Sequence, residues 1–264
     1  MRILVVGDPH GVLPKKIPKN VDLILITGDI GKADLARKRF FENIKRERKG
    51  LLKLEKTPVF EKKIWQEIYL SSIFIAKHFS KFVPTYSLLG NVGTQTDFET
   101  KKEEKKLGIK LPYLRSGLEN IKNFYLVRNR IRNFKGLRFG FLEHFIDNSW
   151  IKEFNEKDKK RIKRAQKETS KFKRILNGFG KVDVLISHQP PYGILDKING
   201  KYGAPKSWWG KHAGSKVVLD YIKRKQPRYV FCGHIHEGKG KVKIGKTEVY
   251  NVGVSGDYVL IDIN

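Results

Sequence analysis

The chain reads as an α/β protein in which buried strands alternate with helical connections. Three observations lead there. Short apolar, β-branched runs recur at residues 3–6, 23–27, 86–89, 182–186 and 229–231, the pattern of buried strands. Long connections separate them, with apolar residues at helical spacing. Each run is followed at once by a polar cluster: Asp8-Pro9-His10, Gly28-Asp29, Gly90-Asn91, Ser187-His188 and Gly233-His234-Ile235-His236. In sheets flanked by helices, ligands bind in the crevice at the carboxyl ends of the strands. Five such ends can bring residues remote in sequence to one point.

The elements follow in order. A strand starts the chain and ends at Asp8, and a second ends at Asp29. The connection over about 33–82 is helical in pattern, with Pro58 separating two helices. Its stripe of Ile64, Trp65, Ile68, Tyr69, Ile73, Ile75 and Ala76 is read as core-facing. Its basic stretches at 37–39 and 45–49 either cover a site or face water. The mixed charge run 101–106 is read as solvated surface. Apolar runs at 124–127 and 137–142, joined by a basic turn through Arg128, Arg130, Arg132 and Lys135, predict an antiparallel pair. The stretch 151–180 is the most basic, and Ile162, Ala165, Phe172, Ile175 and Leu176 fall on one helical face. A helix is expected from near Ser215. Residues 241–244 and 247–251 predict a hairpin across Gly245, and 258–263 a closing strand. No repeat or linker divides the chain. The expectation is one domain over 1–264 with basic helical insertions at about 33–82 and 151–180.

The residue mix of the clusters points to metal chemistry. Imidazole plus carboxylate, without thiolate, suits Mn, Fe, Zn or Ni better than Ca or Mg. A carboxylate such as Asp29 has two oxygens and can bridge two cations, and two cations about 3.5–4 Å apart clamp an in-line displacement at phosphorus. In order and spacing the clusters resemble the calcineurin-like metallophosphoesterase family, whose signature runs D-x-H, G-D, G-N-H, H, G-H-x-H. The resemblance extends from Asp8 to His236. It implies a four-layer αββα sandwich of two mixed sheets with helices outside. It also implies that Asp8, His10 and His236 hold one metal and that Asp29 bridges the pair with a hydroxide. Asn91, through its side-chain oxygen, would join His188 and His234 on the second metal. Two divalent ions are therefore expected as cofactors, manganese first, with Fe, Zn or Ni as alternatives.

One position departs from the family pattern. Asn91 is followed by Val92 where the family has the His thought to protonate or stabilise the leaving oxygen. General acid help is worth about 10²–10⁴-fold, so its absence weighs most on poor leaving groups and shifts the expectation from monoesters to phosphodiesters. Two histidines outside the metal set are candidates for that role. His212 lies in a glycine-rich aromatic loop, and a similar His-x-Gly-Ser segment recurs in one branch of the family. Gly214 and Ser215 would then touch substrate oxygens at a helix N-terminus; the alternative is that Ser215 is a simple N-cap. His144, after the run 137–142, reads as a packed, hydrogen-bonded residue. Tyr202, Trp208 and Trp209 either stack a nucleobase or pack structurally.

Charge is the other strong feature. Lys and Arg number 55 against 27 Asp and Glu, a formal net charge of +28. Such a field gathers anions, which suits nucleic acid as well as small phosphoesters, and Lys-rich, Met- and Cys-poor composition is also that of heat-adapted proteins. The single cysteine, Cys232, can form no internal disulfide, as in a reducing interior. The first strand leads straight into the first cluster, leaving no room for a cleaved signal, and no apolar run approaches a membrane span. A cytoplasmic protein without a membrane partner is expected. The reading is a metal-dependent phosphoester hydrolase, foremost a phosphodiesterase, in which Asp29, Asn91 and His212 act in catalysis. The alternatives are a nuclease acting on DNA or RNA, and a non-catalytic scaffold binding nucleic acid or protein. Oligomeric state is not legible.

Overall fold

The structure is a computed structural model and describes residues 1–263. In chain order come β1 (Arg2–Val6), β2 (Leu23–Ile26), α1 (Asp34–Arg48), α2 (Pro58–Phe79) and β3 (Thr85–Ser87). Next are α3 (Asp97–Leu107), α4 (Leu114–Glu119), β4 (Phe124–Leu126), β5 (Arg130–Phe134) and β6 (Leu137–Leu142). Then follow α5 (Asn148–Glu153), α6 (Lys159–Phe179), β7 (Val184–Ser187), α7 (Lys216–Lys225) and β8 (Tyr229–Cys232). The chain closes through β9 (Gly240–Ile244), β10 (Thr247–Asn251) and β11 (Tyr258–Asp262).

Alternation along the strands explains the layering. In β1 and β2, Ile3, Val5, Leu23 and Leu25 point into a core shared with Phe139, Phe141, Val184, Ile186 and Phe231 of the other sheet. Their neighbours Leu4, Val6, Ile24 and Ile26 point the opposite way, against Ile75, Ala76 and Phe79 of α2 and Leu118 of α4. The second sheet repeats this. Leu185 and Val230 face outward onto Phe172, Leu176 and Phe179 of α6 and Val218, Tyr221 and Ile222 of α7. Strands apolar on both faces are what a sheet covered on both sides requires. The result is helix, sheet, sheet, helix: the four-layer αββα arrangement.

Both sheets are mixed. The first has the order β11-β1-β2-β3-β4, with β11 antiparallel to β1 and the other pairs parallel. The second has the order β5-β6-β7-β8-β10-β9, antiparallel at its two outer pairs and parallel within. The carboxyl ends of β1, β2, β3, β7 and β8 therefore face the same way within each sheet, and the loops after them meet. Helix ends follow local rules. Pro58 opens α2, where its missing N–H costs nothing, and Thr96 and Glu99 form a capping box on α3.

Three expectations change. The runs 124–127 and 137–142 are not partners: β4 closes the first sheet beside β3, and β6 pairs with β5 in the second. The basic turn is itself the edge strand β5, and its arginines hide the period-two pattern because an edge strand leaves them exposed. The run 101–106 is not all solvated, since Glu104 turns inward to accept hydrogen bonds from Leu111 N–H (2.8 Å) and Tyr113 OH (2.6 Å). The stripe on α2 is divided: Ile75 and Ala76 enter the core, whereas Trp65 and Ile68 line a cavity. No helix of the described residues is long and apolar enough to cross a membrane.

Candidate metal centre

The seven residues that follow β1, β2, β3, β7 and β8 come together at the ends of the two sheets. Asp8 leads in from β1. It is fully buried, and its Oδ1 accepts from Thr27 Oγ1 (2.8 Å) while Oδ2 accepts from the His234 backbone N–H (2.5 Å). His236 Nε2 stands 3.5 Å from Asp8 Oδ2 and 3.4 Å from His10 Nε2, and His10 Nε2 stands 3.8 Å from Asp29 Oδ2. On the other side, His188 Nε2 lies 3.7 Å from the same Asp29 oxygen. His188 Nε2 and His234 Nδ1 converge on Asn91 Oδ1 at 3.0 and 2.8 Å. Asp29 thus sits between two groups: Asp8, His10 and His236 on one flank, Asn91, His188 and His234 on the other.

The backbone around the cluster is specialised. His10, Asp29 and His234 have φ of 46°, 36° and 65°, a left-handed region that costs a non-glycine residue about 1–3 kcal/mol and persists where surrounding structure enforces it. Tight approach does the enforcing. A Cβ on Gly90 would overlap the Asp29 carboxylate and the His188 ring, and one on Gly233 would overlap Asp8.

Ring orientations are set from behind. His188 Nδ1 faces the Thr27 carbonyl at 3.1 Å and His10 Nδ1 the Gly31 carbonyl at 3.3 Å. A carbonyl only accepts, so Nδ1 donates in each ring and Nε2 is the nitrogen turned toward the cluster. Burial raises the Asp8 carboxyl, but His188, His236 and His10 outweigh it and hold the group below the usual carboxylate range. Burial, and then His188 and His144, keep the His234 imidazole neutral.

A family model described as calcineurin-like phosphoesterase matches residues 1–238. The chain belongs to that family. Among curated relatives, metallophosphoesterase domain-containing protein 1 of Homo sapiens is 36% identical over 94 residues, 35% of this chain and 26% of the human protein. A UPF0046 protein of Caenorhabditis elegans is 35% identical over 91 residues, 34% of this chain and 20% of its own. The chain thus spans about a fifth to a quarter of the length of the curated relatives it matches. A crystal structure at 16% identity covers 99% of this chain and 94% of its own, with a TM-score of 0.56, a likeness in fold.

Calcineurin-like phosphoesterases depend on a binuclear metal centre, and the residues present fit one. Metal ligands at about 2.0–2.2 Å from a common ion stand roughly 3–3.5 Å apart, close to the 2.8–3.8 Å between the atoms around Asp29. Asp8, His10 and His236 form one group able to hold an ion, Asp8, Asp29 and His188 a second, and His144, His188 and His234 a third. The Nε2 of His234 and the Nδ1 of His236 are buried without partners, so these rings are positioned by packing and by their inward nitrogens. The neutral His234 imidazole and the ionised Asp8 carboxylate are in the protonation states a metal demands.

A cavity of about 740 Å³ opens over the cluster. His10, Asp29, Asn91, His234 and His236 form its floor, α1 and α2 give Phe40, Trp65 and Ile68 to its wall, and Trp150, Tyr202 and Trp208 face them. The helices of 33–82 therefore stand over the site. Cations on this wall are mostly committed: Arg39 pairs with Glu61, Lys56 with Glu103 (3.7 Å) and Arg161 with Glu156 (2.9 Å).

The structure does not bring His212, Gly214 or Ser215 to the cluster. His212 Nδ1 is 2.7 Å from Asp196 Oδ1, and His212 lines, with Trp209, a smaller cavity that shares Ile198 and Glu237 with the larger one. Ser215 is fully buried, donates to Asp147 Oδ2 (2.5 Å) and accepts from Val218 N–H as the N-cap of α7. Gly214 donates to Asp196 and packs on the carbonyls of Pro190 and Pro191. His144 is the reverse case. Expected to be packed and hydrogen-bonded, it lines the metal cavity, with its ring centroid 5.0 Å from that of His234 and 5.7 Å from that of His188. The available signal was its place directly behind an apolar strand, the same placement as the other clusters.

Proposed function

We propose that this chain is a metal-dependent phosphodiesterase that hydrolyses small organic phosphodiesters, with Asp8, His10, Asp29, Asn91, His188, His234 and His236 as its metal ligands and manganese as the preferred ion. Two bound cations would supply Lewis acidity toward the phosphoryl oxygens and lower the pKa of a bound water. The chain's own residues orient the rest. Asp29 faces both flanks of the cluster, and its other oxygen is held by the Val92 N–H at 2.8 Å. The cavity wall excludes water and receives the ester groups.

The observation that carries the diester reading is Val92. Its backbone N–H serves Asp29 and its side chain is apolar, so it has no donor for a leaving oxygen. A site so built favours esters whose leaving group needs little help, and its apolar walls suit a substituent on both sides of the phosphate. The wall's paired cations also fit a compact substrate better than a tracked polyanion. The test compares bis-p-nitrophenyl phosphate with p-nitrophenyl phosphate on manganese-loaded protein. Diester turnover should exceed monoester turnover, and Asp29→Asn should reduce it by at least about 10²-fold. Near-normal turnover in that variant would remove Asp29 from its bridging role, and preference for the monoester would overturn the diester reading.

A nuclease is the second reading, and the net charge of +28 favours it. It requires the polyanion to be gathered by cations outside the cavity, of which the exposed side of α6 has the densest set.

A further inference from the structure

We propose that His144 takes the place of the histidine missing after Asn91: its imidazole N–H donates a hydrogen bond to the leaving oxygen of the phosphoester bound over the cluster. The proposal rests on the phosphoesterase reading above.

Topology puts His144 there. Strands β6, β7 and β8 are neighbours in one sheet, with Leu142 opposite Ser187 and Ile186 opposite Phe231. The segments leaving their carboxyl ends carry His144, His188 and His234, so the three rings form a triangle with centroid separations of 5.7, 4.9 and 5.0 Å. Two of them reach Asn91 Oδ1, and His144 does not. It stands one step outside the convergence point, on the wall of the cavity that must hold the ester.

Its hydrogen bonding sets it apart from a packed histidine. His144 Nδ1 is buried without a partner. An unpaired buried nitrogen is costly, and because Nδ1 is closed off from solvent, the nitrogen that meets the cavity is Nε2. A phenylalanine would fill the same space without that cost. An imidazole retained against the cavity, beside the half of the cluster where Val92 offers no donor, fits a role toward substrate.

The chemistry balances without a further reagent. The oxygen of a water forms a bond to phosphorus and loses its proton to solvent. The bond from phosphorus to the leaving oxygen breaks, and its electron pair passes to that oxygen. The N–H···O bond from His144 strengthens as charge grows there, and a solvent proton finally neutralises the alcohol.

The experiment uses metal-loaded wild type, His144→Ala, His144→Phe and His144→Gln. It measures kcat and KM on aryl phosphodiesters whose phenols span a range of acidity, metal content, and calorimetric binding of inorganic phosphate. His144→Ala and His144→Phe should lower kcat about 10²-fold on the poorest leaving group and only a few-fold on p-nitrophenolate. His144→Gln, which keeps an N–H donor, should recover part of the loss, with metal content unchanged and phosphate affinity reduced up to about tenfold in the Ala and Phe variants. A uniform loss across the series, no loss, or a fall in metal content would overturn the proposal, the last by making His144 a ligand. If the wild type cleaves no diester, the functional reading fails and phosphate binding decides: unchanged affinity in His144→Phe then removes His144 from the site as well.

Discussion

Gly90 has no side chain, yet it decides whether the cluster can close. The Asp29 carboxylate and the His188 ring occupy the space a Cβ would need, so Gly90→Ala must push the Asp29 carboxylate away from its neighbours. Second-layer disturbances of this kind cost about 10–100-fold in metal affinity. Gly90→Ala should weaken manganese binding by that order while circular dichroism stays that of the wild type; unaltered affinity would show that the crowding relaxes freely. The seven clustered residues were legible because each follows a strand, and a strand end needs no long-range knowledge to be aimed. His144 was legible only in part. Whether a histidine beside Phe145 is packed or faces a cavity depends on the register of β6 against β7 and on where α1 and α2 stand. His212 was harder to place for a related reason: glycine-rich loops ahead of helices suit anions, but here Asp147 pairs with Ser215, and Asp196 with Gly214 and with Nδ1 of His212.

At the scale of elements, burial pattern governs what could be read. The strands of the inner pairs are apolar on both faces and were evident, whereas β5 exposes Arg130 and Arg132 and passed for a turn. The helix α6 shows the same logic with a functional edge. Ala165, Phe172, Leu176 and Phe179 bury one side, leaving Lys160, Lys163, Lys167, Lys171 and Arg174 exposed on the remainder. Each phosphate that such a row neutralises releases counterions, so affinity for a polyanion falls steeply with salt. Charge reversal by Lys163→Glu, Lys167→Glu and Arg174→Glu should leave cleavage of a small diester within about twofold, because solvated surface changes rarely perturb a fold. If the chain is a nuclease, the same triple variant should weaken binding to single-stranded DNA and flatten its salt dependence. Binding indifferent to the reversal would exclude α6 as the contact.

Across the whole molecule, the cluster is a liability until it is filled. Two aspartates and several imidazoles are held close together by left-handed backbone and by glycines. Protons make it worse. Burial, with help from His188, brings the His144 imidazole down to about 3, and burial drives His234 well below its ordinary value. For a base depressed on folding, the unfolded chain binds the extra protons, so these groups contribute fully above pH about 6.5 and progressively less below it. Asp8, held below its ordinary 3.8, adds its loss only in strong acid. Metal-free protein should therefore melt at lower temperature at pH 5 than at pH 7. Manganese at about 100 times its dissociation constant adds about 2.7 kcal/mol, a rise of roughly 5–10 °C for a domain of this size. That rise should shrink at pH 5, because metal binding releases protons and so weakens as pH falls. Asp29→Asn should lose most of it at either pH. Melting curves on chelator-stripped and reloaded protein decide the matter: a rise that survives in Asp29→Asn, or is equal at both pH values, would place the stabilising ion somewhere other than this cluster.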